Sequence, residues 1–202
     1  MEDELSLRER KKIETRKRIL RTAIELFQAR GLEQTSIDEI ASRANISRGT
    51  FFNYFPNKEG VLREIALDEL RELGRLIEGE LSEEVSVMEK IRRVMQQLVT
   101  DTLPYLRITR DVLLREMLYP SDETAISMRL SDMLIGLIRQ AQTSGEICAD
   151  LNPQEVAYVL LGPYLSVVFA QIARQSTVPE ARETIEHALD MILMGIAERG
   201  KD

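Results

Sequence analysis

Apolar residues recur at intervals of three and four along almost all of this 202-residue chain, and that spacing commits it to helices. Ile19, Leu20, Ala23, Ile24 and Phe27 form one stripe, closed by Gly31, a natural αL stop after a helix. Ser36-Ile37-Asp38-Glu39 has the form of a capping box, and Ile37, Ile40, Ala41 and Ala44 share one face. Ser47 offers an N-cap for a short helix to about Asn53. Pro56 then breaks the chain, and Asn57 caps a long helix to about Leu81. Ser86 to Glu89 opens a helix to about Thr102, Pro104 marks a bend, and helices follow near 106–118 and 122–144. Asn152-Pro153 starts a helix to about Arg174, and Pro179 sits in the first turn of a last one ending at Gly200. The expected fold class is all-α, with about nine helices.

Composition narrows the class further. With 44% hydrophobic and 30% charged residues, the chain is too apolar for disorder. A single cysteine, Cys148, forms no internal disulfide, and Met1-Glu2-Asp3-Glu4 lacks the basic-then-apolar start of a signal peptide, so a cytoplasmic location is expected. Val156 to Ala173 carries no charge, but Gly162-Pro163 interrupts it and Ser166 and Gln171 are polar. It reads as a buried helix or a subunit interface, with no membrane partner.

The net charge of −7 argues against a nucleic-acid partner until it is divided along the chain. Residues 5–58 hold 12 Lys/Arg against 6 Asp/Glu, whereas residues 61–202 hold 15 against 24. A basic head on an acidic body is the asymmetry of a chain in which one module meets an anion.

That head holds the informative segment, Ser36 to Lys58. Two short helices meet through Ala44-Asn45-Ile46, a turn too tight for an antiparallel pair. Asn45 stands where the turn needs positive φ, which Asn tolerates nearly as well as Gly. Ala41 is small where the second helix must approach, and Ile46 fills the angle. This is helix-turn-helix geometry, in which the second helix enters a major groove.

The second helix suits that task. Ser47-Arg48-Gly49-Thr50 places a hydroxyl, a guanidinium and backbone N–H groups where phosphates or base edges would lie. Arg48 can donate twice to a guanine, Thr50 can touch a thymine methyl, and Gly49 lets the backbone come close. Phe51 and Phe55, four apart, are expected to anchor the helix in the core, with Phe52, Asn53 and Tyr54 pointing partly outward. Lys58 is expected at a phosphate, and the basic run Arg8 to Arg21 supplies further backbone contacts.

Three blocks in order, Thr15 to Phe27 (T-R-x-x-I-L-x-x-A-x-x-L-F), Gly31 to Ala41 (G-L-x-x-T-S-I-D-E-I-A) and Ile46 to Lys58 (I-S-R-G-T-F-F-N-Y-F-P-N-K), resemble the N-terminal domain of the tetracycline-repressor (TetR) family. The resemblance covers about a quarter of the chain. It implies an all-helical homodimer with a helix-turn-helix domain, here 1–56, and an effector-binding and dimerisation domain, here 57–202. Position by position it nominates Arg48, Gly49, Thr50, Phe52, Asn53, Tyr54 and Lys58 for DNA, with Thr15 and Ser36 at helix starts that hold phosphates. Many members carry Tyr at the position of Phe52 and His at that of Tyr54. Lacking a hydroxyl, Phe52 is expected to pack rather than to bond a phosphate.

The remaining helices suggest two tasks. Val156, Leu160, Tyr164 and Val168 line one helix, and Ile185, Leu189, Ile192 and Ile196 another; two such helices per subunit would form a four-helix dimer bundle. Met95, Tyr105, Met117, Met133 and Tyr164 are of the type that lines an adaptable apolar pocket for a small-molecule effector. The resemblance implies that the effector spreads the two recognition helices, and the helix from Asn57 to Leu81 is the expected lever.

Enzymatic readings have little support. His187 is the only histidine, which leaves no metal cluster or serine-histidine arrangement. Gly195 to Lys201 matches G-x-x-x-x-G-K, but Asp202 stands where Ser or Thr is required. Cys148 as a redox sensor has only its loop position in favour. No cofactor is expected. The reading is a ligand-responsive regulator that binds a palindromic double-stranded operator as a homodimer and represses until its effector releases it. The rivals are a helical adaptor whose basic head meets an acidic protein, and a non-specific architectural DNA binder.

Overall fold

The computed structural model describes residues 6–80, 85–118, 126–174 and 178–197. Nine α-helices run through them: α1 Leu7–Arg30, α2 Ile37–Arg43, α3 Arg48–Phe52, α4 Lys58–Arg75, α5 Val87–Thr102, α6 Leu106–Leu118, α7 Ile126–Thr143, α8 Pro153–Arg174 and α9 Val178–Ile196. A π-helical turn, Leu76–Glu80, follows α4, and a 3-10 turn, Leu103–Tyr105, joins α5 to α6. An isolated bridge between Ile147 and Ala197 is the one extended pairing among the described residues, so the fold is all-α as expected. The expected helix ends at Leu81 and Gly200 lie outside the described residues; α9 itself stops at Ile196.

Local chemistry sets most of the helix starts. Ser6 and Glu9 form a complete capping box, so α1 begins well before the apolar stripe that announced it. Ser36 accepts the Glu39 N–H at 3.2 Å, Asn57 Oδ1 accepts that of Gly60 at 2.7 Å, and Asn152 Oδ1 accepts that of Gln154 at 3.0 Å. At α5 the Ser86 cap is joined by Glu146, whose carboxylate takes the Val87 and Met88 amides at 3.0 and 2.9 Å. Burial alone would raise the pKa of Glu146, but those amides together with the Ser144 and Ser86 hydroxyls outweigh it and hold the carboxyl below its ordinary range. Gly31 ends α1 with φ 83° and ψ 170°, a backbone region open essentially to glycine alone and not the αL state expected. α8 continues through Pro163.

Contacts divide the chain into two compact units, residues 1–67 with 107–112, and residues 68–106 with 113–202. The first therefore takes in more than the 1–56 expected of the head. Val61, Leu62 and Ile65 of α4 and Ile108 of α6 are buried with Ile19, Phe27, Ile40 and Phe51 in one apolar cluster. The second unit has its own core, in which Ile91, Val94, Met95, Leu134, Ile138, Leu160, Val168 and Leu189 are fully buried. Burying a side chain of this size contributes roughly 1.5–3 kcal/mol, so each unit has its own source of stability.

Candidate nucleic-acid interface

The turn between α2 and α3 forms as its residues require. Asn45 has φ 52°, the one positive φ outside glycine among the described residues. Ile46 N–H returns to Ala41 O at 3.0 Å, and Ala41 and Ala44 are buried where the helices converge. Ser47 caps α3, its Oγ accepting the Thr50 N–H at 3.0 Å while its hydroxyl bonds that of Thr50 at 2.8 Å.

The aromatic cluster divides between core and surface. Phe51 and Phe55 are buried, with ring centroids 6.1 Å apart. Phe52 stands edge-on to Phe51 and stays 44% exposed, and Tyr54 is half-buried against the same cluster. With its inner face anchored, α3 turns Arg48, Gly49, Phe52 and Asn53 to solvent, and Thr50 partly so. A Cβ on Gly49 would meet only Ser47 Oγ, at 3.8 Å, so nothing inside the protein requires glycine there.

Arg48 is already engaged. Its Nη1 donates to both carboxylate oxygens of Asp38 on α2, each at 2.7 Å, and its guanidinium lies over the Phe52 ring, 5.6 Å from the centroid. Asp38 has no local signature in the sequence, and the pairing emerges only once the turn brings α2 and α3 together.

Two of the expected phosphate contacts, Lys58 and Thr15, have surroundings that the sequence did not reveal. Lys58 turns back onto the α1–α2 connection, where its ammonium donates to the carbonyls of Leu32, Glu33 and Thr35 at 2.8, 3.2 and 3.4 Å. An ammonium has three N–H donors, and here all three are occupied. Thr15 lies in the middle of α1 and half-buried, not at a helix start. Ser36 does stand at a helix start and is exposed. Of the basic run on α1, Arg8, Arg10, Lys11, Lys12, Lys17 and Arg21 are exposed, whereas Arg16 pairs with Glu64 at 2.6 Å and lies over Phe55.

The second unit corrects the expected dimer stripe. Val156, Leu160, Val168, Ile185 and Leu189 are buried in that unit's own core, and Ile192 and Ile196 pack against it. Spacing by four showed that they share a face, and this face is the one that folds inward. Among the described side chains of the same helices, the large apolar ones left in water are Tyr158, Val159 and Phe169 of α8 and Met191 and Met194 of α9.

Three of the expected pocket residues belong to one core. Met95 and Tyr164 are buried in the core, Met133 packs against it, and Tyr105 is 37% exposed; the Met117 side chain lies outside the described residues. Burial pushes the Tyr164 phenol up to about 12 despite its 3.1 Å hydrogen bond to Thr102, so it stays protonated. A groove of about 390 Å³ in this unit is bounded by Leu76, by Arg93, Gln96, Gln97 and Thr100 of α5, and by Arg182 and Glu186 of α9. His187 is exposed on α9, and Cys148 is half-buried, its amide donating to Ile196 O at 3.1 Å. Among the described residues no group of three or more His, Cys, Asp or Glu could hold a metal, and no helix is long and apolar enough to cross a membrane.

Known proteins share both sequence and fold. Residues 19–65 match the family model described as bacterial regulatory proteins, tetR family. The HTH-type transcriptional regulator LuxR of Vibrio harveyi is 25% identical over 199 residues, covering 94% of this chain and 96% of that protein. UidR of Escherichia coli, another HTH-type regulator, is 26% identical, covering 73% of this chain and 76% of its own. FadR of Thermus thermophilus, a TetR-family repressor solved with lauroyl-CoA, superposes with a TM-score of 0.62 at 27% identity, over 92% of this chain and 97% of its own. The helix-turn-helix agrees with the tetR family by sequence and nearly all of the chain agrees by fold, and together these support a TetR-family DNA-binding transcriptional regulator.

Proposed function

We propose that this regulator binds a palindromic operator as a homodimer, represses from it, and is released by a small molecule held in its second unit. The observation that carries the DNA reading is the division along α3 and the turn after it: Phe51 and Phe55 are buried, while Arg48, Gly49, Phe52 and Asn53 face water. A short helix pinned by one face, with a guanidinium and a hydroxyl available from its N-terminal turn, is built to enter a groove. Arg48 and Thr50 are the proposed base readers, and Asn53, Ser36 and the exposed cations of α1 the proposed backbone contacts.

A single helix-turn-helix spans too few base pairs for useful specificity, so two copies are needed about one helical turn or a multiple apart. The exposed apolar residues Tyr158, Val159, Phe169, Met191 and Met194 support α8 and α9 as the dimer face. The effector reading draws on relatives: FadR was solved with lauroyl-CoA, and a protein with a TM-score of 0.78 at 16% identity was studied in the control of antibiotic production by bacterial hormones. α4 and α6 each contribute residues to both units, which makes them the proposed route from effector to DNA.

Selection of host genomic fragments by the purified protein tests this reading. Recovered fragments sharing an inverted repeat upstream of a gene are the expected result. Recovery no more selective than for a scrambled duplex would overturn it.

A further inference from the structure

The pairing of Arg48 with Asp38 lies on the face that meets DNA in the reading above, and the inference rests on that reading. Both side chains are more than half exposed, at 59% and 66%. A pair so exposed adds little to folding stability. A carboxylate on this face also repels phosphates, a handicap for a protein that binds by charge alone. Its geometry suggests a different use.

Asp38 occupies one nitrogen of the guanidinium, Nη1, with both of its oxygens at 2.7 Å. The Phe52 ring lies against the guanidinium, 5.6 Å from Cζ to the centroid. Among the described residues neither Nε nor Nη2 of Arg48 has a hydrogen-bond partner. Those two groups present parallel N–H bonds along one edge, the arrangement that matches a pair of neighbouring acceptors such as guanine O6 and N7. A phosphate on the same edge would bring its negative charge close to the Asp38 carboxylate, a repulsion that the uncharged acceptors of guanine avoid.

We propose that Asp38 is a specificity-determining positioning residue: it holds Nη1 of Arg48 so that the Nε and Nη2 edge faces a guanine, and its charge offsets that of Arg48 toward phosphates. The pair then trades non-specific affinity for discrimination at one base pair of each half-site.

The test is selection from a pool of random-sequence duplexes by wild type, Asp38→Asn, Asp38→Ala, Arg48→Ala and the Asp38→Ala/Arg48→Ala double variant. A salt titration on one fixed scrambled duplex runs beside it, and thermal melting confirms that each variant is folded. Wild type is expected to enrich an inverted repeat with a guanine at one fixed position per half-site. Both Asp38 variants should keep the rest of the repeat but lose discrimination at that position by roughly tenfold or more. They should also bind the scrambled duplex more tightly, with a salt slope steeper by about one. Asp38→Ala should add no further loss when Arg48 is already Ala. The proposal is overturned if the Asp38 variants enrich the same guanine as strongly as wild type, or if the double variant loses more than Arg48→Ala alone. Failure of wild type to enrich any sequence overturns the DNA reading itself, and the proposal with it.

Discussion

The carboxylate of Asp111, in the part of α6 that belongs to the first unit, accepts the backbone N–H of Leu32 at 2.9 Å across 79 positions of sequence. Leu32 is 3% exposed, so its amide has little access to water as a substitute. Arg107 reinforces the contact by donating to Ala29 O at 2.6 Å, on the last turn of α1. The start of α6 is thereby fastened to the connection that aims α2 and α3.

Asp111→Ala leaves that amide unpaired and should cost about 1–3 kcal/mol of stability. Urea unfolding measures the loss, and hydrogen exchange should show the Leu32 amide losing protection ahead of the second unit's core. Unchanged protection at Leu32 would mean that α6 does not fasten this connection.

Lys58→Met removes three hydrogen bonds to carbonyls and should destabilise the protein by roughly 1.5–3 kcal/mol, the range for bonds to a charged group. Because the ammonium is already engaged, the salt dependence of DNA binding should be unaltered. A salt slope that falls by about one in this variant would restore Lys58 as a phosphate contact.

Gly49→Ala separates folding from binding. The new methyl would have open space around it, with Ser47 Oγ at 3.8 Å, and alanine in a helix is favoured over glycine by roughly 0.5–1 kcal/mol. Stability should hold or rise, while binding to a selected duplex weakens by about tenfold, or 1.4 kcal/mol, as the methyl meets the DNA. Equal affinity of the two proteins would show that the backbone at Gly49 does not approach the duplex.

A pH effect is expected from Glu69 on α4. Partial desolvation of its carboxyl, with Asp101, Glu72 and Asp68 nearby, pushes its pKa up to about 7 from an ordinary 4.5. The folded state thus keeps a proton that the unfolded chain releases, so this residue's contribution becomes less favourable as pH rises from about 4.5 to about 7. Much of the residue is exposed, and solvent screening keeps the effect small. The melting temperature of Glu69→Gln relative to wild type should be higher at pH 8 than at pH 5; a difference independent of pH would contradict the shift.

The helix-turn-helix was legible in the sequence because its determinants are local. Asn45 takes positive φ, Phe51 and Phe55 face inward, and Ser47 caps the helix, each within a few positions of its partners. What stayed hidden depends on distance or on direction. Lys58 is 26 positions from Leu32, and nothing in the sequence says that its long side chain turns back to that carbonyl. Arg48 and Asp38 are ten apart and meet only across the folded turn. On α8, the spacing of Val156, Leu160 and Val168 identified one face correctly but not its surroundings, since a helix with apolar residues on both sides gives no sign of which side is core. Tyr158, Val159 and Phe169, on the other side, were the residues left exposed.

The central claim, that α3 reads base pairs, is tested most directly by comparing wild type and Arg48→Ala on a selected duplex and on its scrambled counterpart at fixed salt. The account predicts a wild-type preference for the selected duplex of roughly a thousandfold or more, reduced by about 1–3 kcal/mol per half-site in the variant. Equal binding of both duplexes by wild type, or an Arg48→Ala variant that weakens both to the same degree, would contradict it.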